Sequence, residues 1–489
     1  MSNRSGRANY PGHSAFPQGQ SVRTVPLATS SAGIARDPTA NTYPNRYVWP
    51  DGQQRPPHSL GAGNPAAGIP ASLLFAVVVL LMISLTLRQE GNEQGFDVQD
   101  AVRLAGYSLA ALATLLAIGM GKMRLNLWIG VWTLVPIFIA LTAIYAPRPA
   151  FALAAGLTHL ALLLFAWRIV NRYGQPHAVL AIVLAGTIIG VLSIFTFYAL
   201  PDIGRSIADT LNSDPGGRMR GVAAQPNSLG TISAITILLA VMHYRAFTAR
   251  QRVFIIVAIC VMTFCLIYSD SRTSIAALLL CLLLWRLCRA NAAFNLFAVV
   301  GIALVACLLI GFVPDVASYL TREGAGPDEL ASLNGRARIW AVAWENINSN
   351  PILGQGYGAS NVILPADDRL FSAALNSHNL YLELLFSGGL VLLTLFAIAV
   401  FVSIVRSATR RRAEALIALL FFLVIGAAEV TPYGGLPLFS VFAFYTAVSL
   451  CLVRPTPRWQ VAGGALLAPV ARGQRFVGTP GRRLKDQWI

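Results

Sequence analysis

Charge is scarce in this chain, and negative charge is scarcest. Only 12% of the 489 residues are charged, and 21 acids stand against 37 bases. Hydrophobic residues make up 55%, which excludes an ordinary water-soluble domain. Cysteine is scarce too: Cys260, Cys265, Cys281, Cys288, Cys307 and Cys451 all lie within or beside apolar runs. None stands in an extended loop, so no disulfide framework is expected, and no metal-ligand spacing occurs. A Gly-rich nucleotide loop is missing, and so is any groove-reading motif. The net charge of +16 therefore does not signal nucleic acid. With no metal or other cofactor indicated, the chemistry must come from other residues.

What is abundant is apolar sequence long enough to cross a bilayer. Spans are expected at roughly 70–88, 102–120, 125–146, 150–170, 178–200, 227–246, 253–269, 274–288, 294–313, 379–405, 415–430 and 436–453. This describes an all-α polytopic membrane protein with about twelve transmembrane helices in residues 69–453. Some 68 polar residues precede the first span, so it does not read as a cleavable signal peptide. Short loops after even-numbered spans carry Lys122 and Arg124; Arg168 and Arg172; Arg245, Arg250 and Arg252; Arg286 and Arg289; and Arg406, Arg410, Arg411 and Arg412. Glu414 is the one acid among them, whereas Glu90, Glu93, Asp97 and Asp100 fall on the other side. The positive-inside rule then puts both termini in the cytoplasm.

Residues 1–68, rich in Gly, Pro, Ser, Asn and Arg, read as a disordered cytoplasmic extension. Residues 454–489 form a basic cytoplasmic tail suited to anionic membrane lipids. The outward loops are unequal. A medium loop, 201–226, carries Asp202, Arg205, Asp209, Asp214, Arg218 and Arg220. A large loop, 314–378, separates spans nine and ten, and loops of that length are usually functional or disordered. Within it, 335–349 has helical character, with Trp340, Trp344 and Ile347 on one face and a place at the membrane surface. Gly354-Gln355-Gly356-Tyr357-Gly358 follows as a turn-rich segment.

Of six histidines, His13 and His58 lie in the N-terminal tail, His159 lies inside a span, and His177 and His243 flank spans on the cytoplasmic side. Only His378 is expected at the outer face, where a group titrating near neutrality suits acid–base chemistry. Three spans running inward open on polar motifs: Gln225-Pro226-Asn227-Ser228, Asp270-Ser271-Arg272-Thr273-Ser274 and Ser377-His378-Asn379. Such helix ends attract phosphate-like anions, although plain N-capping explains the same residues. Arg272, in a very short loop, either snorkels to headgroups or binds a lipid-linked phosphate. Arg336 and Arg338 could reach that site from above, or simply face solvent. Glu383 lies about 140° around its helix from His378, so the pair does not read as a dyad. Glu429, beside Pro432, closes the eleventh span and could border the site, but is not carried as a site residue.

These motifs resemble those of the O-antigen ligase and polymerase superfamily. SHNLYLELLFSGGL resembles its signature of His-Asn followed, after nine intervening residues, by a glycine, here Gly389, although Leu392 departs from the small, Tyr or Thr residue that follows. SDSRTS at 269–274, NGRARIW at 334–340, LGxGYG at 353–358 and QPNSLG at 225–230 resemble further elements, with Gln225 where relatives often carry His. The likeness covers about 220–450. It implies transfer of a glycan from an undecaprenyl-diphosphate carrier at the outer face of the bacterial inner membrane, with other polysaccharide-assembly proteins as partners. The acceptor is another lipid-linked repeat unit (polymerase) or lipid A-core sugar (ligase). His378 takes the role of base or hydroxyl-positioning donor. Arg272 and Arg336 stabilise the diphosphate without a metal, by direct displacement that inverts the anomeric carbon. Arg338, Asn379, Asn227, Arg220 and Arg218 are carried as substrate-binding candidates.

Polymerase is the slightly preferred of the two. Two other classes compete. A transporter would place its long loop between spans six and seven in the cytoplasm and repeat its half-chain pattern. A metal-dependent transferase would use the acids of the first outer loop.

Overall fold

Short proline and capping signals start many of the helices. The computed structural model describes residues 71–87, 97–123, 125–206, 217–289, 336–370, 375–436 and 438–453. The expected terminal extension and tail, the ninth span, the first third of the large loop, Arg124, Glu90, Glu93, Asp209 and Asp214 lie outside them. The helices are α1 Ala71–Ser84, α2 Val98–Gly119, α3 Leu127–Leu141, α4 Pro149–Tyr173, α5 Gln175–Ala199, α6 Pro201–Gly204 and α7 Pro226–His243. They continue with α8 Ala249–Tyr268, α9 Arg272–Arg289, α10 Arg336–Ser349, α11 Ser360–Ile363, α12 Leu380–Thr409, α13 Ala413–Gly426 and α14 Phe439–Leu452. Among the described residues, the extended pairing is one isolated antiparallel bridge, Arg205 with Met219.

Helices α1–α5, α7–α9 and α12–α14 fall on expected spans. Seven of the helices are long and apolar enough to cross a membrane. Proline occupies the first turn of α4, α5 and α7, where its missing N–H costs nothing. Asp97, Asn126 and Thr248 cap α2, α3 and α8 through their side chains. Helices apolar on every side take central places. Helix α7 is buried along almost its whole length, and so is α14. By contrast α2 exposes Leu104, Leu112, Leu115 and Leu116, and α8 exposes Val253, Ile256 and Val257. Apolar surface outside and polar atoms inside is the arrangement of a membrane protein.

Helix α12 is broken. At Gly389 the backbone turns to φ 60°, ψ −158°, and such a break within a bilayer strands peptide groups unless protein satisfies them. The segment 351–356 does so. Gln355 N donates to Phe386 O at 2.7 Å and Gly356 N to Ser387 O at 3.0 Å. In return, Leu390 N donates to Pro351 O at 2.9 Å and Val391 N to Ile352 O at 3.2 Å. A Cβ at Gly389 would stand 2.3 Å from Ile352 O, and one at Gly354 only 2.6 Å from Gly389 N. Both glycines are therefore required by close approach as well as by positive φ. The large loop is thus hooked into the membrane helix that follows it.

Candidate active site

The hook brings α10 down onto the start of α12. Ile339, Val342, Ala343 and Ile347 bury one face of α10 against Ala359, Leu364 and Phe386. The expected Trp340, Trp344 and Ile347 stripe divides: Ile347 is buried, Trp344 is exposed, and Trp340 uses its indole N–H to donate to Ser377 O at 2.8 Å. An exposed brace ties the same loop together: Arg369 NH2 contacts Glu345 at 2.7 Å and Asp367 at 2.8 Å. Its guanidinium holds Asp367 down at about 2 and lowers Glu345 as well.

The turn before α12 is anchored from below. Buried Glu383 accepts from Ser360 Oγ at 2.6 Å, Ser377 Oγ at 3.0 Å and Ser377 N at 3.2 Å. Its carboxylate thus fixes the turn. Asn379 caps α12 by accepting from Tyr381 N and Leu382 N, while its Nδ2 donates to Ala427 O at 3.0 Å. Between these anchors His378 adopts φ 47°, a left-handed conformation uncommon for a residue with a Cβ. Its amide donates to Asn376 Oδ1 at 3.0 Å. Its Nδ1 is buried without a hydrogen-bond partner and lies 3.9 Å from Glu429 Oε2.

Glu429 is the residue on which the site converges. Asn227 Nδ2 donates to its Oε1 at 2.8 Å, and Arg336 NH2 lies 3.4 Å from the same oxygen. Arg218 supports Asn227 by donating to its Oδ1 at 2.8 Å. The same guanidinium binds Ser269 O at 2.8 and 3.0 Å and Asp270 O at 3.1 Å. Asp270, at φ 44°, carries a carboxylate 3.7 Å from Arg272 Nε. Three helix N-termini, those of α7, α9 and α12, are therefore joined through Arg218 and Glu429.

The sequence candidates take different places around this hub. His378, Arg336 and Asn227 meet at Glu429, Arg218 holds Asn227, and Arg272 joins through the Asp270 turn. Asn379 serves the helix cap and the Ala427 tether. Arg338 is exposed one half-turn from Arg336. Arg220 is buried and donates through Nε to Ile203 O at 2.9 Å, so it ties residue 220 to residue 203. Glu429 was legible only as an acid closing an apolar span on the same face as His378, a position where ionisable groups serve function.

Residues 255–397 match the family model described as O-antigen ligase. This match supports membership of the O-antigen ligase and polymerase superfamily. No curated protein matches the chain. The matched segment begins within α8 and ends within α12, so it contains Arg272, Arg336, Arg338, His378 and Asn379. Arg218, Asn227 and Glu429 lie outside it and are joined to the superfamily segment by the geometry just described. The match and the long apolar helices together support a membrane protein of the O-antigen ligase or polymerase type.

Proposed function

We propose that the chain transfers an undecaprenyl-diphosphate-linked oligo- or polysaccharide to an acceptor sugar hydroxyl at the periplasmic face of the inner membrane. The convergence of His378 and Arg336 on Glu429 carries this reading. The acceptor oxygen attacks the anomeric carbon, and the bond from that carbon to the diphosphate oxygen breaks. The lipid diphosphate departs with the electron pair, and the hydroxyl proton passes to His378. The Glu429 carboxylate beside Nδ1 stabilises the imidazolium that forms, leaving Nε2 for the acceptor. Arg336, Arg338 and Arg272 offset the charge growing on the diphosphate. A single direct displacement inverts the anomeric carbon and needs no metal; full activity in chelator is the expected result.

The polymerase reading, with another lipid-linked repeat unit as acceptor, rests on the departure at Leu392 and on the long N-terminal extension. The ligase reading, with lipid A-core as acceptor, is favoured by the description of the matched family model. Surface glycans of a deletion strain separate the two. Single repeats on a normal core indicate the polymerase, whereas accumulated lipid-linked chains over a bare core indicate the ligase. Unchanged surface glycans would defeat both. Cytoplasmic termini and a twelve-span topology belong to the same proposal and are tested by reporter fusions at each loop.

A further inference from the structure

A second polar cluster lies inside the bundle, away from the reacting groups, and its focus is one peptide. His159, fully buried midway along α4, places Nε2 3.2 Å from Gly435 O. Tyr357, from the Gly-rich hook of the large loop, donates its hydroxyl to the same carbonyl at 2.8 Å and accepts from Gly435 N at 3.1 Å. A carbonyl oxygen only accepts, which fixes a proton on His159 Nε2. Nδ1 lies 3.0 Å from the Tyr445 hydroxyl, and the Tyr433 ring covers the imidazole at 5.0 Å between centroids. Both backbone hydrogen-bonding groups of Gly435 are thereby engaged.

That peptide belongs to the segment carrying Glu429. A Cβ on Gly434 would meet Val430 Cγ2 at 2.0 Å, so the chain folds back against the neighbour of Glu429. On the other flank, Ala427 O is held by Asn379, next to His378. Glu429 thus sits between two pinned points. A polar side chain in the middle of an apolar span is costly and rare unless it has a partner or a task. Leucine would fill position 159 of α4 without that cost.

We infer that His159 and Tyr357 are positioning residues that set the Glu429 carboxylate against His378 by holding the Gly435 peptide. The inference rests on the reading that Glu429 assists His378 in glycan transfer. It links the large loop to the carboxylate as well: the hook that fills the α12 break also delivers Tyr357.

The test uses the full-length protein in lipid nanodiscs and lipid-linked glycan extracted from cells lacking the protein. His159→Leu, His159→Gln and Tyr357→Phe are compared for kcat, for KM and for amide hydrogen exchange across residues 427–438. Glutamine can place an N–H where Nε2 stands; leucine cannot. The expected result is a kcat roughly 10- to 100-fold lower in His159→Leu and Tyr357→Phe. KM should stay within about threefold, exchange in 427–438 should accelerate, and His159→Gln should recover most of the rate. Wild-type kcat in Tyr357→Phe, or a His159→Gln rate no better than His159→Leu, would overturn the inference. Tyr357→Phe removes a single oxygen, so the test stands even where His159→Leu fails to insert. Glu429→Gln and His378→Ala run alongside. Wild-type rates in those two defeat the reading of the site itself, whereas inactive controls beside an unaffected Tyr357→Phe defeat only the positioning role.

Discussion

His378 Nδ1 lies 3.9 Å from Glu429 Oε2, across a gap between the start of α12 and the end of α13. The separation is too long for a hydrogen bond but close enough for charge stabilisation. The Asn379 side chain bridges the same two segments through Ala427 O, so the pair is held by this neighbouring tether and not by its own contact.

Removing the carboxylate should therefore slow transfer without destroying the fold. Glu429→Gln keeps an acceptor for Asn227 and loses the charge beside His378, with an expected rate loss of about 10²-fold. In the double variant with His378→Ala the losses should be far from additive, because the two act as one unit. Transfer rates with lipid-linked donor measure both.

The arginines separate charge from geometry. Arg336→Lys retains a cation but not the planar fork, and it should recover only part of the activity lost in Arg336→Ala. Arg272→Ala should abolish transfer while membrane insertion stays normal. A protease-protection assay beside the glycan assay reads both quantities.

The hook makes a stability prediction. Gly389→Ala forces a Cβ to 2.3 Å from Ile352 O at a positive φ, a conformation that costs about 1–3 kcal/mol before any clash. Thermal unfolding in detergent should show a clear loss, accompanied by faster proteolysis in residues 351–370.

The loop brace gives a pH dependence of known sign. Arg369 lowers Asp367 to about 2 and also lowers Glu345. The brace therefore contributes fully above the ordinary carboxylate range and is lost as pH falls towards about 2. Any difference in unfolding temperature between wild type and Arg369→Met should shrink over that interval. Because the groups are exposed, high salt should shrink it too.

Much of the fold was legible because a bilayer demands long apolar runs, and α2, α5 and α8 announce themselves by composition alone. The helical stretch beginning near Arg336 was legible from periodicity and its stop before Pro351. Its buried face was not, because the choice between Trp344 and Val342 depends on what lies opposite. His378, Arg336 and Asn227 were readable as polar residues at helix ends on one face. Glu429 was readable only as an acid at a span end that could border the site, since nothing near it in the chain resembles a motif and its partners lie 51, 93 and 202 positions away. The α12 break was equally hidden: a Gly-Gly pair in an apolar run does not say which distant loop will fill it.

The central claim is that His378 and Glu429 together drive glycan transfer from a lipid diphosphate. The most direct measurement gives purified protein in nanodiscs a lipid-diphosphate-linked glycan and an acceptor, and quantifies product and released lipid diphosphate. Equal amounts of both are expected from wild type, less than about 1% of that rate from His378→Ala, and a severe loss from Glu429→Gln. Wild-type transfer by His378→Ala, or movement of intact lipid-linked glycan across the bilayer with no bond exchanged, would contradict it.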